Sequence, residues 1–229
     1  MPKAATPAFP GFVPETLKFL KALGFHQTRE WFEENRALYV GAVKEPLEAY
    51  VAALSVACAA QKLPLKGDPK KATFRLNRDV RFSKNKQPYK TNAGCVVTRT
   101  GGKGSPGLLY THISPEGCFF AAGFYHPEPP QLLAMRKTIV AKRTAWLTIE
   151  TKLKDAGLVL STNEALKRNP RDFQDADEKL WPALRARNFI IRKPITDKLI
   201  LDGPKLVAAA AEFGKTTLPL LKFGWAAMD

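Results

Sequence analysis

Histidine and cysteine are scarce in this chain, with three of each among 229 residues. Cys58, Cys95 and Cys118 are an odd number without CxxC or CxxH spacing, which argues against a structural zinc site and suits a reducing compartment. They read as inert, mostly buried thiols. Nucleophile–base chemistry must take its imidazole from His26, His112 or His126. No apolar run approaches the roughly 20 residues that span a bilayer, and the opening Met1-Pro2-Lys3-Ala4-Ala5-Thr6-Pro7 lacks the apolar stretch of a secretory signal. The protein is therefore expected in the cytoplasm, away from membranes. Acids are few where charge is densest, so metal chemistry has few ligands to draw on, and neither a metal nor a cofactor is expected.

What the chain has in excess is positive charge. Thirty-six Lys and Arg face twenty-one Asp and Glu, a net +15, while 45% of residues are hydrophobic, enough for an ordinary globular core. Residues 66–103 carry eleven Lys and Arg against Asp68 and Asp79, so +9 of the total falls within 38 residues. The field is local, and its expected partner is an anionic small molecule or a nucleic acid.

The pattern of elements points to a single α+β domain, a central antiparallel meander flanked by helices, over residues 13–229, behind a loose tail at 1–12. Helical spacing begins near Pro14 and continues in a tract after Thr28, a suitable N-cap, with Pro46 expected to kink or divide it. Short β-branched and aromatic runs at Cys95–Thr98, Leu108–Ile113 and Cys118–Phe124 are separated by glycine-rich turns, as in consecutive hairpins. Helical periodicity returns at 131–141, 144–154, 177–187 and 203–213, with Phe189-Ile190-Ile191 a short strand between the last two.

Within the basic segment, Phe74, Leu76, Val80 and Phe82 alternate with Arg75, Asn77, Asp79, Arg81 and Ser83. An extended chain would put the apolar set on one face and the polar set on the other. A helix would also gather Arg75, Arg78 and Arg81 on one side. Either geometry aims guanidiniums at a common point, and the planar fork of arginine suits carboxylate or phosphate. Arg75, Arg78, Arg81, Ser83, Lys84, Lys86 and Lys90 are the candidate ligand-binding residues, with Tyr89 packing beside them. Asp79 would orient an arginine or act as a base. His112, on an expected strand, is the general acid or base of an enzymatic version, a metal-free hydrolysis or transfer. The competing reading is a nucleic-acid-binding module, with lysines on successive phosphates and Tyr89, Phe82 or Tyr110 stacked on bases.

The stretch Arg78-Asp79-Val80-Arg81-Phe82-Ser83-Lys84-Asn85-Lys86-Gln87-Pro88-Tyr89-Lys90-Thr91 resembles the signature of the DUF2461 family. The resemblance extends to Phe9-Pro10-Gly11-Phe12, Arg29-Glu30-Trp31-Phe32, His112-Ile113-Ser114-Pro115 and Ala122-Gly123-Phe124-Tyr125, and covers about residues 9–222. It implies an α+β fold and brings no established activity. Asn85 stands where the family commonly has aspartate, which removes one carboxylate from the segment. Gly214-Lys215-Thr216 is not a phosphate-binding loop, because Ala209 occupies the position of the required first glycine.

Overall fold

The computed structural model describes residues 9–81 and 84–229. The helical amino-terminal part contains α1 (Pro14–Phe25), α2 (Arg29–Glu34), α3 (Arg36–Tyr39) and α4 (Glu45–Ala60), with a π-helical turn over Val40–Lys44. Thr28 caps α2 as expected, its Oγ1 accepting from the Trp31 N–H at 3.3 Å. Pro46 lies in the first turn of α4, directly after the π-helical turn, so the tract changes helix type at the proline while its backbone stays helical.

Three strands follow, β1 (Ala93–Thr98), β2 (Leu108–Ile113) and β3 (Cys118–Phe124). After α5 (Pro129–Ala141), α6 (Arg143–Asp155) and α7 (Trp181–Arg185), the chain adds β4 (Phe189–Ile195) and ends in α8 (Asp197–Ile200) and α9 (Gly203–Met228). The sheet order is β1-β2-β3-β4, every pair antiparallel. This is the α+β meander that the spacing predicts. No helix among the described residues is long and apolar enough to cross a membrane.

Two expectations need correction. The loose tail cannot include residues 9–12: Phe9 and Phe12 are buried, 5.5 and 6.0 Å in ring centroid from Tyr50, and the Phe12 N–H donates to the Ile200 carbonyl at 2.9 Å. Residues 1–8 lie outside the described part. The last helix, expected over 203–213, runs on through Pro219 because Leu206, Ala210, Phe213, Thr217, Leu220, Leu221 and Trp225 keep its inner face buried beyond the proline. Burial outweighs the one backbone hydrogen bond that proline removes.

Strand alternation divides the sheet into two faces. Leu109, Thr111 and Ile113 of β2 and Phe120 and Ala122 of β3 are buried toward α4 and α9. There the Tyr50 phenol of α4 meets Thr111 Oγ1 at 2.9 Å, deep in the core. Leu108, Tyr110 and His112 point the other way and are only half-buried. Residues 66–77 border β1 through isolated bridges, Lys66 to Thr98 and Thr73 to Cys95, so the basic segment fringes the outer face. All three cysteines are buried and free, and burial pushes Cys58 up to about 11 and Cys95 up to about 12, so neither supplies a thiolate near neutrality.

Gly123 holds the β3–β4 register. Its φ of +128° is one that L side chains rarely adopt, and a Cβ there would collide with the Phe189 carbonyl. Gly123→Ala is expected to cost at least about 2 kcal/mol, because a strained backbone and a backbone clash act together. Urea unfolding of the variant beside the wild type measures it, and an unchanged midpoint would show that the strand can relax.

Candidate functional site

The outer face of the sheet carries a cavity of about 420 Å³. Its floor follows from strand register, which sets Val96, Tyr110, Ala121 and Arg192 side by side across the four strands, with His112 beside Phe119 in the next row. Phe74, Lys90 and Asn92 close the β1 side, and Tyr125 and Ile190 also line it. Gly94 faces the same side, and a Cβ there would fall on the Tyr110 ring. The missing side chain lets the phenol lie over β1.

Within the cavity, the Tyr110 hydroxyl is 2.9 Å from His112 Nδ1. The His112 imidazole stacks on Phe119 at 4.4 Å, with 16° between the planes, and the Arg192 guanidinium lies 4.9 Å from the same ring. Burial, reinforced by the Arg192 charge and only partly offset by Glu116, holds His112 down at about 4, so the imidazole is neutral at pH 7. Burial likewise drives the Tyr110 phenol well above its usual range and keeps it protonated. Burial lowers Lys90 as well, helped by the charges of Arg75, Arg78 and Lys103.

No aspartate or glutamate is found among the described residues lining the cavity. Neither Lys90 nor Arg192 has an ion-pair partner among the described residues. Among the described residues the result is an aromatic floor flanked by half-buried Lys90 and exposed Arg192, with no acid in the lining. Among the described residues no three His, Cys, Asp or Glu side chains gather in a metal-binding arrangement.

The basic segment does not gather its cations into one cavity. From Asn77 to Tyr89 it makes an excursion closed at its base, where the Arg78 N–H donates to Pro88 and the Lys90 N–H to Leu76, each at 2.7 Å. Neither the expected strand nor a helix forms over the described part of residues 74–83, where the described strand contact is the isolated bridge between Asn77 and Tyr89. Arg81 is exposed and bidentate on Asp79, at 3.0 and 2.8 Å, and this pairing lowers the Asp79 pKa. That takes Asp79 out of a role as base in the cavity. Lys84 is exposed, and Lys86 is exposed with its Nζ donating to the Val80 carbonyl at 3.0 Å. Arg75 and half-buried Arg78 stay close to Lys90, whose Nζ donates to the Arg75 carbonyl at 3.4 Å. Arg78 Nη2 reaches the Tyr89 carbonyl at 3.4 Å. Tyr89 is a core residue, stacked on Phe32 at 4.6 Å. Ser83, with Phe82, lies outside the described residues.

Of the candidates, then, Lys90 and His112 line the cavity, with Arg75 and Arg78 near Lys90. Sequence reasoning missed Arg192, Asn92 and Phe119 as lining groups. Alternation from Ile190 to Arg192 was the available signal, but it could not say which strand β4 would join. His26 is exposed and stacks on Trp31 at 5.1 Å. His126 lies in a separate cavity.

The family model described as "Conserved hypothetical protein (DUF2461)" matches residues 15–223. No curated protein and no solved structure matches the chain.

The depressed His112 makes stability depend on pH in a defined direction. Its pKa lies below the ordinary 6.5, so between 6.5 and about 4 the unfolded chain binds the proton more tightly than the folded one. This contribution is fully present above 6.5 and is lost as pH falls toward 4. Imidazole NMR should show His112 titrating near 4, and His112→Gln should flatten the acid limb of the stability curve. An unshifted titration would mean that the ring is fully hydrated.

Proposed function

The chain belongs to the DUF2461 family, and from that premise and the chemistry of the sheet cavity we propose that the protein binds a small ligand joining a flat apolar body to a carboxylate or phosphate. The observation that carries this reading is the pair of cations, Lys90 and Arg192, in an aromatic cavity that has no acid among its described lining residues. Half-buried Lys90, without a counter-charge among the described residues, favours an anionic guest, and exposed Arg192, set against Phe119, presents a planar fork for paired hydrogen bonds. The volume of about 420 Å³ suits a molecule of a few rings at most.

The neutral His112 and protonated Tyr110 supply hydrogen bonds at the floor without adding charge. An anion docked beside Arg192 offsets the positive field that depresses His112, and so raises the proton affinity of the imidazole. In a metal-free hydrolysis or transfer, His112 is the group of this cavity that takes up the proton.

A nucleic-acid reading has one observation of its own. Tyr125 is 61% exposed and Phe74 is 36% exposed, so both rings are accessible to a base, and Lys103 Nζ lies 5.4 Å from the Phe74 ring centroid. Salt separates the two readings. Release of several counterions makes nucleic-acid affinity fall steeply with salt, whereas one small anion gives a shallow dependence.

Calorimetric titration with benzoate, an aromatic carboxylate, tests the proposal. Saturable binding is expected, weakened about tenfold by Arg192→Gln, since a charge-assisted bidentate contact is lost. Equal affinity in the variant, or tight oligothymidylate binding with a steep salt slope and no response to benzoate, would overturn it.

A further inference from the structure

A second cavity, of about 560 Å³, lies away from the sheet face. It is formed where the chain leaves β3, where α5 begins, around Glu164, and at the Arg187-Asn188 entry to β4. His126, with φ +47°, and Glu164, with φ +63°, are two of three non-glycine residues at positive φ among those described. They meet across it, with His126 Nε2 3.5 Å from Glu164 Oε2. Asn188, 8% exposed, fixes both: its Oδ1 accepts from the His126 N–H at 2.6 Å and its Nδ2 donates to Glu164 Oε2 at 2.8 Å. Two uncommon backbone conformations held by one buried amide mark a built feature.

Arg136 and Arg187 also line the cavity. Arg136 is half-buried and anchored, its Nε donating to the Leu184 carbonyl at 2.8 Å and its Nη2 to the Ala186 carbonyl at 3.0 Å. Burial, and to a lesser degree the charge of Arg187, lower the Arg136 pKa. Neither arginine has an ion-pair partner among the described residues. Two acids also line the cavity, and each is held by other groups: Glu128 accepts from the backbone of the first turn of α5 in a capping box, and Glu164 accepts from Asn188 and faces His126. With neither guanidinium paired to these acids among the described ion pairs, both arginines are left for an anion brought from outside.

We propose that this second cavity is a binding site for a phosphate group, free or at the end of a small ester, gripped by Arg187 and the anchored Arg136 with His126 as a further polar contact. The site is independent of the sheet cavity. Arg187 is the element to test because it is exposed and holds no structural contact among the described hydrogen bonds and ion pairs, whereas Arg136 also secures the carbonyls at the end of α7.

Inorganic phosphate is the probe, followed by calorimetry on the full chain at neutral pH. Saturable binding at or below the millimolar range is expected for the wild type, with affinity lowered about tenfold or more in Arg187→Gln. Without phosphate, Arg187→Gln should match or exceed the wild type in urea stability, since a repulsion is relieved. Wild-type affinity retained in Arg187→Gln, no binding at millimolar phosphate, or a less stable Arg187→Gln would each overturn the assignment. The benzoate titration is read through Arg192→Gln and the phosphate titration through Arg187→Gln, so failure at one cavity leaves the result at the other intact.

Discussion

The strand register of the sheet is the constraint on which the remaining structure depends. With a side-chain period of two, a slip of one residue would drive Tyr110 and His112 into the core and expose Leu109 and Ile113. Packing of α4 and α9 on one face makes such a slip prohibitively expensive, and the opposite face is thereby committed to whatever polar groups the alternation leaves there. The cavity is a by-product of that commitment. Its aromatic and cationic lining arrives from strands and loops far apart in sequence, brought into rows by backbone pairing alone.

Much of the architecture was legible because local signals and tertiary demands agree. Leu108–Ile113, a short β-branched and aromatic run between glycine-bearing turns, becomes a strand with one buried face, and Thr28 and Pro46 act where capping and proline chemistry place them. Disagreement marks the places where reading failed. Phe9 and Phe12 lie in a short proline- and glycine-bearing stretch that looks like a tail, and contacts with Tyr50, Ile200 and Gly203, all distant in sequence, turn it into core. Pro219 would end an isolated helix, yet the buried stripe of α9 carries the helix past it.

The site was legible in part, for a related reason. A run of arginines reveals the sign of the local field but not the direction in which the chain turns. Arg81 satisfies itself on Asp79, two residues away, whereas Lys90 is drawn into the cavity wall. Arg192 comes from a strand separated from β3 by three helices, and its arrival beside Ala121 is decided by β4 pairing, which no local pattern encodes. Both cavities therefore rely on cations supplied at or beside β4, Arg192 in one and Arg187 in the other, and neither belongs to the segment where charge is densest.

The hydrogen bond between Tyr50 and Thr111 has a mechanical implication. Thr111 sits between Tyr110 and His112, so the stretch presenting those two groups outward is riveted from behind to a helix in the interior. A platform fastened in this way resists reshaping. On the proposed ligand-binding reading, adaptation would come from the fringe, where Phe74 and Tyr125 stand partly in water, and selectivity between related molecules would be a property of the border rather than of the base.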